Sequence, residues 1–288
     1  MASTRDIRRR IRSVGSTAQI TKAMQMVAAS KMRKAQDSAL AGRPFVHLFY
    51  RFQRLTTTQL REFNHPLLEV RPIHKRAVIL VGADKGLCGA LNSNLFRLAA
   101  QFDPASTVFI TAGRKAAQFV ATTRRQLIAE FAYADEPRFA EARAIAALAR
   151  DLFLKKEVDE VRVVATHFIN TLTQQPVSLE FLPVGEIKGI TIPGAEPEEH
   201  LADHAKDFKF EPGADTFMNY LLSHYLNIYV YQVLLNAKAS EQSARMVSMK
   251  NATDNAETLI DDLSLEYNKL RQSNITQELL EIAGGQSG

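Results

Sequence analysis

The stretch that decides the fold is residues 214–283, which read ADTFMNYLLSHYLNIYVYQVLLNAKASEQSARMVSMKNATDNAETLIDDLSLEYNKLRQSNITQELLEIA, 70 residues without glycine or proline. Because these two residues interrupt helices, their absence over such a length predicts a single long helix. At 1.5 Å per residue this helix would span roughly 105 Å. It therefore has to extend beyond any single domain that a chain of 288 residues could build.

The two ends of the chain share a spacing of apolar and small residues. Near the N-terminus such residues recur in alternating steps of four and three, at Ile7, Ile11, Val14, Ala18, Thr21, Gln25, Ala28, Met32, Ala35 and Ala39. The same stepping near the other end gives Tyr225, Ile228, Gln232, Leu235, Ala239, Gln242, Met246, Met249, Thr253, Ala256, Ile260, Leu263, Tyr267 and Leu270. A heptad repeat sustained in this way predicts a left-handed coiled coil. The heptad positions in the middle of this repeat are small or polar residues. We therefore expect a slim coiled coil that needs surrounding protein to cover it.

The two ends of the chain also differ in the sign of their net charge. Residues 1–54 hold 12 Lys/Arg and 2 Asp/Glu, whereas residues 215–283 hold 5 and 9. Opposite charge on two helices favours their pairing with each other. The basic stretch is equally typical of a nucleic-acid binder or of a chain that binds an acidic protein. No aromatic residue precedes Phe45, which removes base stacking there, but composition alone does not separate the three interpretations.

Between residues 75 and 185 short apolar runs alternate with helical stretches. The runs predict strands at Arg76–Ala83, Ser106–Gly113, Gln126–Ala134, Val161–Asn170 and Pro176–Val184. Helices are predicted at Leu91–Phe102, Arg114–Thr123 and Pro137–Glu157. Such alternation predicts a mainly parallel sheet flanked by helices. The chain is thus predicted to contain an N-terminal coiled-coil helix (1–60), an α/β domain (75–185), a loop segment (186–213) and a C-terminal coiled-coil helix (214–283).

Few residues offer catalytic chemistry. The turn Gly82–Gly89 lies where a doubly wound domain would hold a phosphate, but its spacing fits neither GxGxxG nor the P-loop, which favours a structural turn. Cys88, the single cysteine, has no His or acid partner in sequence and is expected to be structural. His200 and His204 stand four apart but do not form HExxH. We therefore predict no catalytic residue, no cofactor and no metal.

Two further observations bound the class of protein. One cysteine excludes an intramolecular disulfide, and no apolar run approaches the ~18 residues that would cross a bilayer. Met24 and Met26 fall off the heptad seam, and an exposed methionine can adapt to several partner surfaces.

Four stretches carry a resemblance that covers nearly the whole chain. They are Ile20–Gln36 (ITKAMQMVAASKMRKAQ), Lys85–Asn92 (KGLCGALN), Ala239–Ala256 (ASEQSARMVSMKNATDNA) and Ile275–Ile282 (ITQELLEI). In this order they resemble the gamma subunit family of F-type ATP synthases. The family pattern begins near Ile7, which leaves no length for a transit peptide, and the extra cysteine pair of chloroplast versions is missing. Both points favour a bacterial subunit. The ending after Gly284 and Gly285 departs from the family's usual small-residue tail.

The resemblance implies an antiparallel coiled coil of the two terminal helices with an inserted Rossmann-like α/β domain. It also implies a central-stalk rotor inside a ring of three alpha and three beta subunits, with the epsilon subunit and the membrane c-ring as further partners. The catalytic sites would lie on the beta subunits, so this chain would not be an enzyme. The basic first helix would face acidic loops of the beta subunits. The expected site is the cytoplasmic face of the bacterial plasma membrane, without insertion into it.

By the same resemblance, contacts with beta subunits are expected at Met24, Arg33, Arg245, Gln272, Thr276 and Glu278. A foot near the rotor ring is expected at Phe208, Phe210 and Glu211. The alternative from another class is a nucleotide-binding α/β enzyme with a coiled-coil dimerisation arm. It would need a phosphate loop at Gly82–Gly89.

Overall fold

The computed structural model describes residues 3–41, 65–184 and 214–285, with side chains throughout except at 214–219, 278 and 281–285. The predictions made for residues 42–60 and 186–213 therefore lie outside the described residues. The described chain falls into two compact units. One joins Met1–Ala29 with Arg245–Gly288, and the other is Ser30–Ala244.

Two long helices dominate the described chain. Helix α1 runs over Thr4–Ala41, and helix α5 runs unbroken over the 72 residues Ala214–Gly285. At its start, α1 is capped by Ser3, whose Oγ accepts a hydrogen bond from the Asp6 amide at 3.3 Å. The prediction of one very long C-terminal helix is confirmed.

In the sequence, the segment between the two long helices forms the strands and shorter helices of the α/β unit. Its strands are β1 (Arg76–Val81), β2 (Thr107–Ala112), β3 (Gln126–Phe131), β4 (Glu160–Phe168) and β5 (Gln174–Leu182). Its helices are α2 (Leu91–Ala99), α3 (Arg114–Thr122) and α4 (Phe139–Leu154). A 3₁₀ turn at Pro66–Leu68 precedes β1.

The sheet has the order β3-β2-β1-β4-β5. Strand β1 is parallel to β2 and β4, and β3 is parallel to β2, whereas β5 runs antiparallel to β4. The first four positions of this order match the first four of the doubly wound order 3-2-1-4-5-6. The predicted mainly parallel, Rossmann-like sheet is confirmed, with β5 as its antiparallel edge.

Both faces of the sheet are covered because alternate strand residues point to opposite sides. On one side Val78, Leu80 and Phe109 pack with residues of α2 and α3. On the other side Ile79 and Ile110 belong to a larger cluster that includes α4 and the first part of α5. The α5 members of that cluster are Leu222, Leu226, Tyr229, Val230, Val233, Leu234 and Ala237. In this unit the first part of α5 therefore helps to cover one face of the sheet.

In the other unit α1 and α5 pair with each other. Thr21 contacts Thr253, and Gly15 faces Ile260. Contact positions that advance along α1 therefore retreat along α5, which makes the pair antiparallel. The predicted seam is buried: Ile7, Ala18 and Ala28 on α1 are 1%, 8% and 1% exposed. On α5 the buried seam positions of this unit are Met249, Thr253, Ala256 and Leu263. The predicted antiparallel coiled coil is confirmed.

Candidate functional site

The middle of the coiled-coil seam is built from small and polar side chains, although Ile7, Met249 and Leu263 are also buried in the seam. A Cβ atom added at Gly15 would lie 3.9 Å from Ile260 Cδ1, which is ordinary van der Waals contact. Ala18, Ala28 and Ala256 lie in the same seam and are buried. Small seam residues allow two helices to lie close together, but each buries little apolar area. The result is a thin two-helix element with limited internal hydrophobic stabilisation.

A hydroxyl pair fixes the register of this seam. Thr21 Oγ1 and Thr253 Oγ1 are 2.7 Å apart and buried. Thr253 Oγ1 also lies 2.9 Å from the Met249 carbonyl and can donate to it, and Thr21 Oγ1 lies 3.0 Å from that of Ala18. A slip of one helix along the other would leave buried hydroxyl groups facing apolar side chains, which is unfavourable. The pair therefore favours one register.

Large apolar side chains lie on the outside of the same unit. On α1 the side chains of Ile20, Met26 and Val27 are 59%, 63% and 54% exposed. On α5 the exposed apolar residues of this unit are Leu259, Leu265, Ile275, Leu279 and Leu280. Exposed apolar residues gathered along a thin element indicate a surface that another protein covers. The off-seam position of Met26 was visible in the sequence, whereas Ile20 and Val27 were missed although their place outside the heptad steps could have revealed them.

The outside of α1 is also basic. Arg5, Arg8, Arg9, Arg10 and Arg12 are all exposed. Arg9 meets Asp6 at 3.2 Å, but both side chains face solvent, so the pair contributes little stability. Most of this positive charge is therefore available to attract an acidic partner over a distance of about one Debye length, ~8–10 Å.

The predicted contact residues occupy different environments. Met24 is half-buried and Arg33 is exposed, whereas Arg245 is only 7% exposed. Gln272 and Thr276 are exposed one turn apart on α5, and Thr276 Oγ1 donates to the Gln272 carbonyl at 2.9 Å. The side chain of Glu278 lies outside the described residues. Phe208, Phe210 and Glu211 also lie outside them.

The carboxyl edge of the sheet was the predicted location of any phosphate site, and it carries acidic side chains instead. Asp84 follows β1 and Asp135 follows β3. Both lie near Lys238 of α5, with oxygen–nitrogen distances of 3.9 Å and 3.7 Å. The carboxylates at this edge are thus paired with the ammonium groups of Lys238 and Lys31.

Two titratable side chains near this edge, Asp135 and His167, have shifted pKa values. The hydrogen bond from Lys31, supported by the charge of Lys238, lowers the pKa of Asp135 below its usual value. Burial lowers the pKa of His167, near the end of β4, which favours the neutral imidazole.

Among the residues that the structure describes, the remaining candidate chemical groups do not assemble into a site. Cys88 is 2% exposed, as expected of a structural cysteine. Within residues 3–41, 65–184 and 214–285, no group of three or more His, Cys, Asp or Glu side chains could hold a metal ion. His200 and His204 lie outside these ranges. In the same part of the chain, no helix is long and apolar enough to cross a membrane.

Fold and surface together define a class of protein. It is a subunit whose slim antiparallel shaft exposes apolar and basic side chains suited to enclosure by other proteins.

Comparison with known proteins narrows this class. The family model described as "ATP synthase" matches residues 3–288. The ATP synthase gamma chain of Methylacidiphilum infernorum is 43% identical, with 99% of each chain covered. That of Opitutus terrae is 45% identical, with 99% of this chain and 98% of the relative covered. The chain belongs to the ATP synthase gamma chain family.

Solved structures agree on the fold. A chain of the Euglena gracilis mitochondrial ATP synthase, from a structure of its OSCP, F1 and c-ring, superposes with a TM-score of 0.67 at 18% identity. The match covers 99% of this chain and 93% of the other. A chain from the central stalk and c-ring of the Tetrahymena thermophila enzyme gives 0.60 at 24% identity, covering 81% and 99%. These likenesses confirm the combination of long terminal helices and an inserted α/β sheet.

Proposed function

We propose that this chain is the central-stalk rotor of an F-type ATP synthase and carries out no chemistry itself. The observation that carries the proposal is the coiled-coil unit, with its small-residue seam inside and its apolar and basic side chains outside. A shaft with so little internal burial gains stability when a surrounding protein covers its exposed Ile20, Met26 and Val27. A ring of three alpha and three beta subunits supplies such a cover.

The mechanism follows from asymmetry. One two-helix shaft cannot present the same side chains to three equivalent beta subunits at once. Each beta subunit therefore meets different contacts, and its conformational equilibrium shifts only by the difference in contact free energy between its states. Rotation driven by ion flow through the c-ring moves this bias from one catalytic site to the next.

The contacts that deliver the bias are proposed at Met24, Arg33, Gln272, Thr276 and Glu278, together with Arg245. Supporting features are the exposure of Gln272 and Thr276, one turn apart on α5, and the exposure of Arg33. Arg245, which is mostly buried, offers a partner less of its surface than the others.

At the other end of the assembly we propose contacts with the epsilon subunit and the c-ring, with a foot at Phe208, Phe210 and Glu211. The chain would then act at the cytoplasmic face of a bacterial plasma membrane as a peripheral subunit. The lack of a membrane-spanning helix in the described residues is compatible with this placement.

Assembly tests the rotor proposal directly. The chain is mixed with purified alpha and beta subunits of a bacterial enzyme, and ATP hydrolysis is compared with that of the chain alone. We expect the chain alone to be inactive and the mixture to form an active complex with one copy of the chain. Nucleotide hydrolysis by the chain alone, with no complex formed, would overturn the proposal and reopen the Gly82–Gly89 turn as a phosphate site.

Cross-linking tests the proposed contacts. Gln272→Cys and Thr276→Cys, each in a Cys88→Ala background, should cross-link to a beta subunit in the assembled complex through a short bifunctional reagent. The matched control is Arg143→Cys, on an exposed position of α4 in the α/β unit. Equal yields from the control and the α5 variants would count against the contact assignment.

A further inference from the structure

Lys238 is an unusual residue for the middle of a helix that covers a sheet. Its side chain is 0% exposed, and its neighbours Ala237, Ala239 and Ser240 are small and buried. Burying an ammonium group is strongly unfavourable unless anions surround it. The position must therefore be explained by what the ammonium group contacts.

The ammonium group lies among oxygens from three places in the chain. Glu241, one turn along α5 and also buried, approaches Lys238 Nζ to 3.0 Å. Asp135 and Asp84 contribute oxygens at 3.7 Å and 3.9 Å. The ring of Tyr133 lies below the same nitrogen, 4.5 Å from its centroid, in a cation–π contact. Lys238 thus connects α5 to the segments that follow β1 and β3.

The same carboxylate also reaches α1. Asp135 Oδ1 faces Lys238, while its Oδ2 accepts a hydrogen bond from Lys31 of α1 at 2.5 Å. One turn further along α1, Lys34 meets Glu136 at 3.0 Å, but both of these side chains are largely exposed. Asp135 therefore joins the last turns of α1 to α5 through a single side chain. We call Lys31, Asp84, Tyr133, Asp135, Lys238 and Glu241 the Lys238 cluster.

The acidic side of the cluster is held by the sheet. Asp84 Oδ1 accepts a hydrogen bond from the Arg114 amide at 3.1 Å, at the start of α3. Tyr133 donates its hydroxyl proton to the Gly82 carbonyl at 3.0 Å. The Gly113 amide bonds the Phe131 carbonyl at 3.0 Å. Asp84 and the Tyr133 ring are thus attached to a hydrogen-bonded frame of the domain.

We propose that Lys238 is a positioning residue that fixes the angle at which the α/β domain holds α1 and α5. Torque then passes between the domain and both helices without free rotation of the helices against the domain. The proposal rests on the rotor function. Apolar packing resists separation but permits sliding, because it has little directionality. The ion cluster resists both, since rotation of α5 against the domain moves the buried Lys238 ammonium away from Asp84 and Asp135, whose side chains are 20% and 45% exposed.

This division of roles makes stability and stiffness separable. Replacing a buried ion pair by apolar or neutral groups of similar size is often neutral for stability, whereas removing one partner is not. The informative variant is therefore Lys238→Met/Glu241→Gln, which removes the buried pair together. Asp135 keeps Lys31, and Asp84 keeps the Arg114 amide, in that variant. The matched control is Lys34→Met, which removes the exposed ion pair with Glu136.

The first measurement uses the isolated full chain. Nitroxide labels at Ser38→Cys on α1 and Arg143→Cys on α4, both exposed, report the distance distribution between helix and domain by pulsed electron spin resonance. In a Cys88→Ala background, we expect the double variant to broaden the distribution by about twofold while its melting temperature stays near that of the parent. Lys34→Met should leave the width unchanged. An equally narrow distribution in the double variant overturns the proposal.

The second measurement uses the complex with alpha and beta subunits, fixed to a surface, with a bead on the domain at Arg143→Cys. The thermal angular variance of the bead in a stalled complex should rise about twofold in the double variant. Unchanged variance in a complex that assembles and hydrolyses ATP normally overturns the torque role. If the parent chain forms no complex, the rotor function fails, and the distance distributions of the isolated chain still decide whether Lys238 fixes the helices.

Discussion

Helix α5 serves two regions with opposite chemistry. In the α/β unit its side chains Leu222, Leu226 and Leu234 are at most 1% exposed and belong to a large apolar cluster. In the coiled-coil unit its buried seam positions include Thr253 and Ala256, and large apolar side chains lie outside. The first part of α5 thus packs in an ordinary apolar core. Its second part forms a seam that includes small and polar residues, with apolar side chains exposed on the outer surface. The difference teaches that the first unit stabilises itself, whereas the second is suited to gain burial from partners.

Among the changes that would test this difference between the two regions, the largest loss of stability is expected at a glycine of the α/β unit. Gly113 has φ +94°, and an added Cβ would lie 2.2 Å from the Gly82 carbonyl oxygen, so Gly113→Val should lower the free energy of unfolding by about 4 kcal/mol or more. The measurement is urea unfolding followed by tyrosine fluorescence, since the chain has no tryptophan. Gly86→Ala is the control because a Cβ there meets nothing within 4 Å. Equal losses from both variants would contradict the explanation.

The two ends of α5 should respond differently to the same truncation. Leu226→Ala empties a position that is 1% exposed in the apolar cluster, which should cost about 2–5 kcal/mol of unfolding free energy. Leu265→Ala changes a side chain that is 60% exposed and should cost less than about 0.5 kcal/mol. Chemical denaturation of the isolated chain measures both. In the complex with alpha and beta subunits, a larger effect of Leu265→Ala would show that a partner covers it.

Alkaline pH should weaken the α/β unit through its buried tyrosines. Burial, with the charge of Glu180, raises the pKa of Tyr229 to about 12, and burial also raises the pKa of Tyr225. Because the unfolded phenol ionises near pH 10, stability is fully present below pH 10 and is lost as pH rises toward 12. Tyr229→Phe should remove about 2 kcal/mol of this loss. The test compares the pH dependence of unfolding in parent and variant between pH 9 and 12, and parallel curves would refute it.

The seam should be sensitive to its hydroxyl pair rather than to apolar volume. Thr21→Val/Thr253→Val removes both hydroxyls and keeps the shape, so the free energy of unfolding should change by about 1 kcal/mol or less. Thr21→Val alone leaves Thr253 with the Met249 carbonyl but opposite a methyl group, and it should be the less stable of the two variants. Thermal melting by circular dichroism at 222 nm ranks them. The reverse ranking would show that the pair does not act as a unit.

A small effect is expected at Asp159, just before β4. Its carboxylate accepts hydrogen bonds from the Lys75 and His74 amides at 3.0 Å and 2.9 Å, which lower its pKa. The lowered pKa contributes stability above about pH 4 that is lost as pH falls through the folded-state value. Because the group is well solvated, Asp159→Asn should cost only about 0.5 kcal/mol at pH 7 and nothing near pH 2. Melting temperatures across this pH range test the sign.

Periodicity and breaker residues were sufficient for the architecture. The heptad positions from Ile7 to Leu270 are buried or half-buried in the described structure, and the five strands lie within a few residues of their predicted bounds. Both patterns are local and repeat along the chain, so they can be read without knowing what packs against what.

The contacts that join distant segments were not predictable. Lys238 stands beside seam residues in sequence, and nothing local indicates that Asp84 and Asp135 converge on it from two strand ends. Pairings of this kind depend on strand order, which periodicity does not determine. The contact residues for partner subunits came from family resemblance alone. Their assignment stays a prediction because the described surface shows exposure and not occupancy.

The hydroxyl contact between Thr21 and Thr253 joins residues 232 positions apart. At a synthesis rate of about 5–20 residues per second, α1 leaves the ribosome roughly 10–50 s before its pairing partner exists. During that interval its seam face is open to solvent and to other nascent chains. A seam of Ala18, Thr21, Gln25 and Ala28 offers little apolar surface for association, and the neighbouring arginines repel like chains. A composition that makes the finished shaft thin therefore also keeps the unpaired helix soluble while the rest of the chain is made.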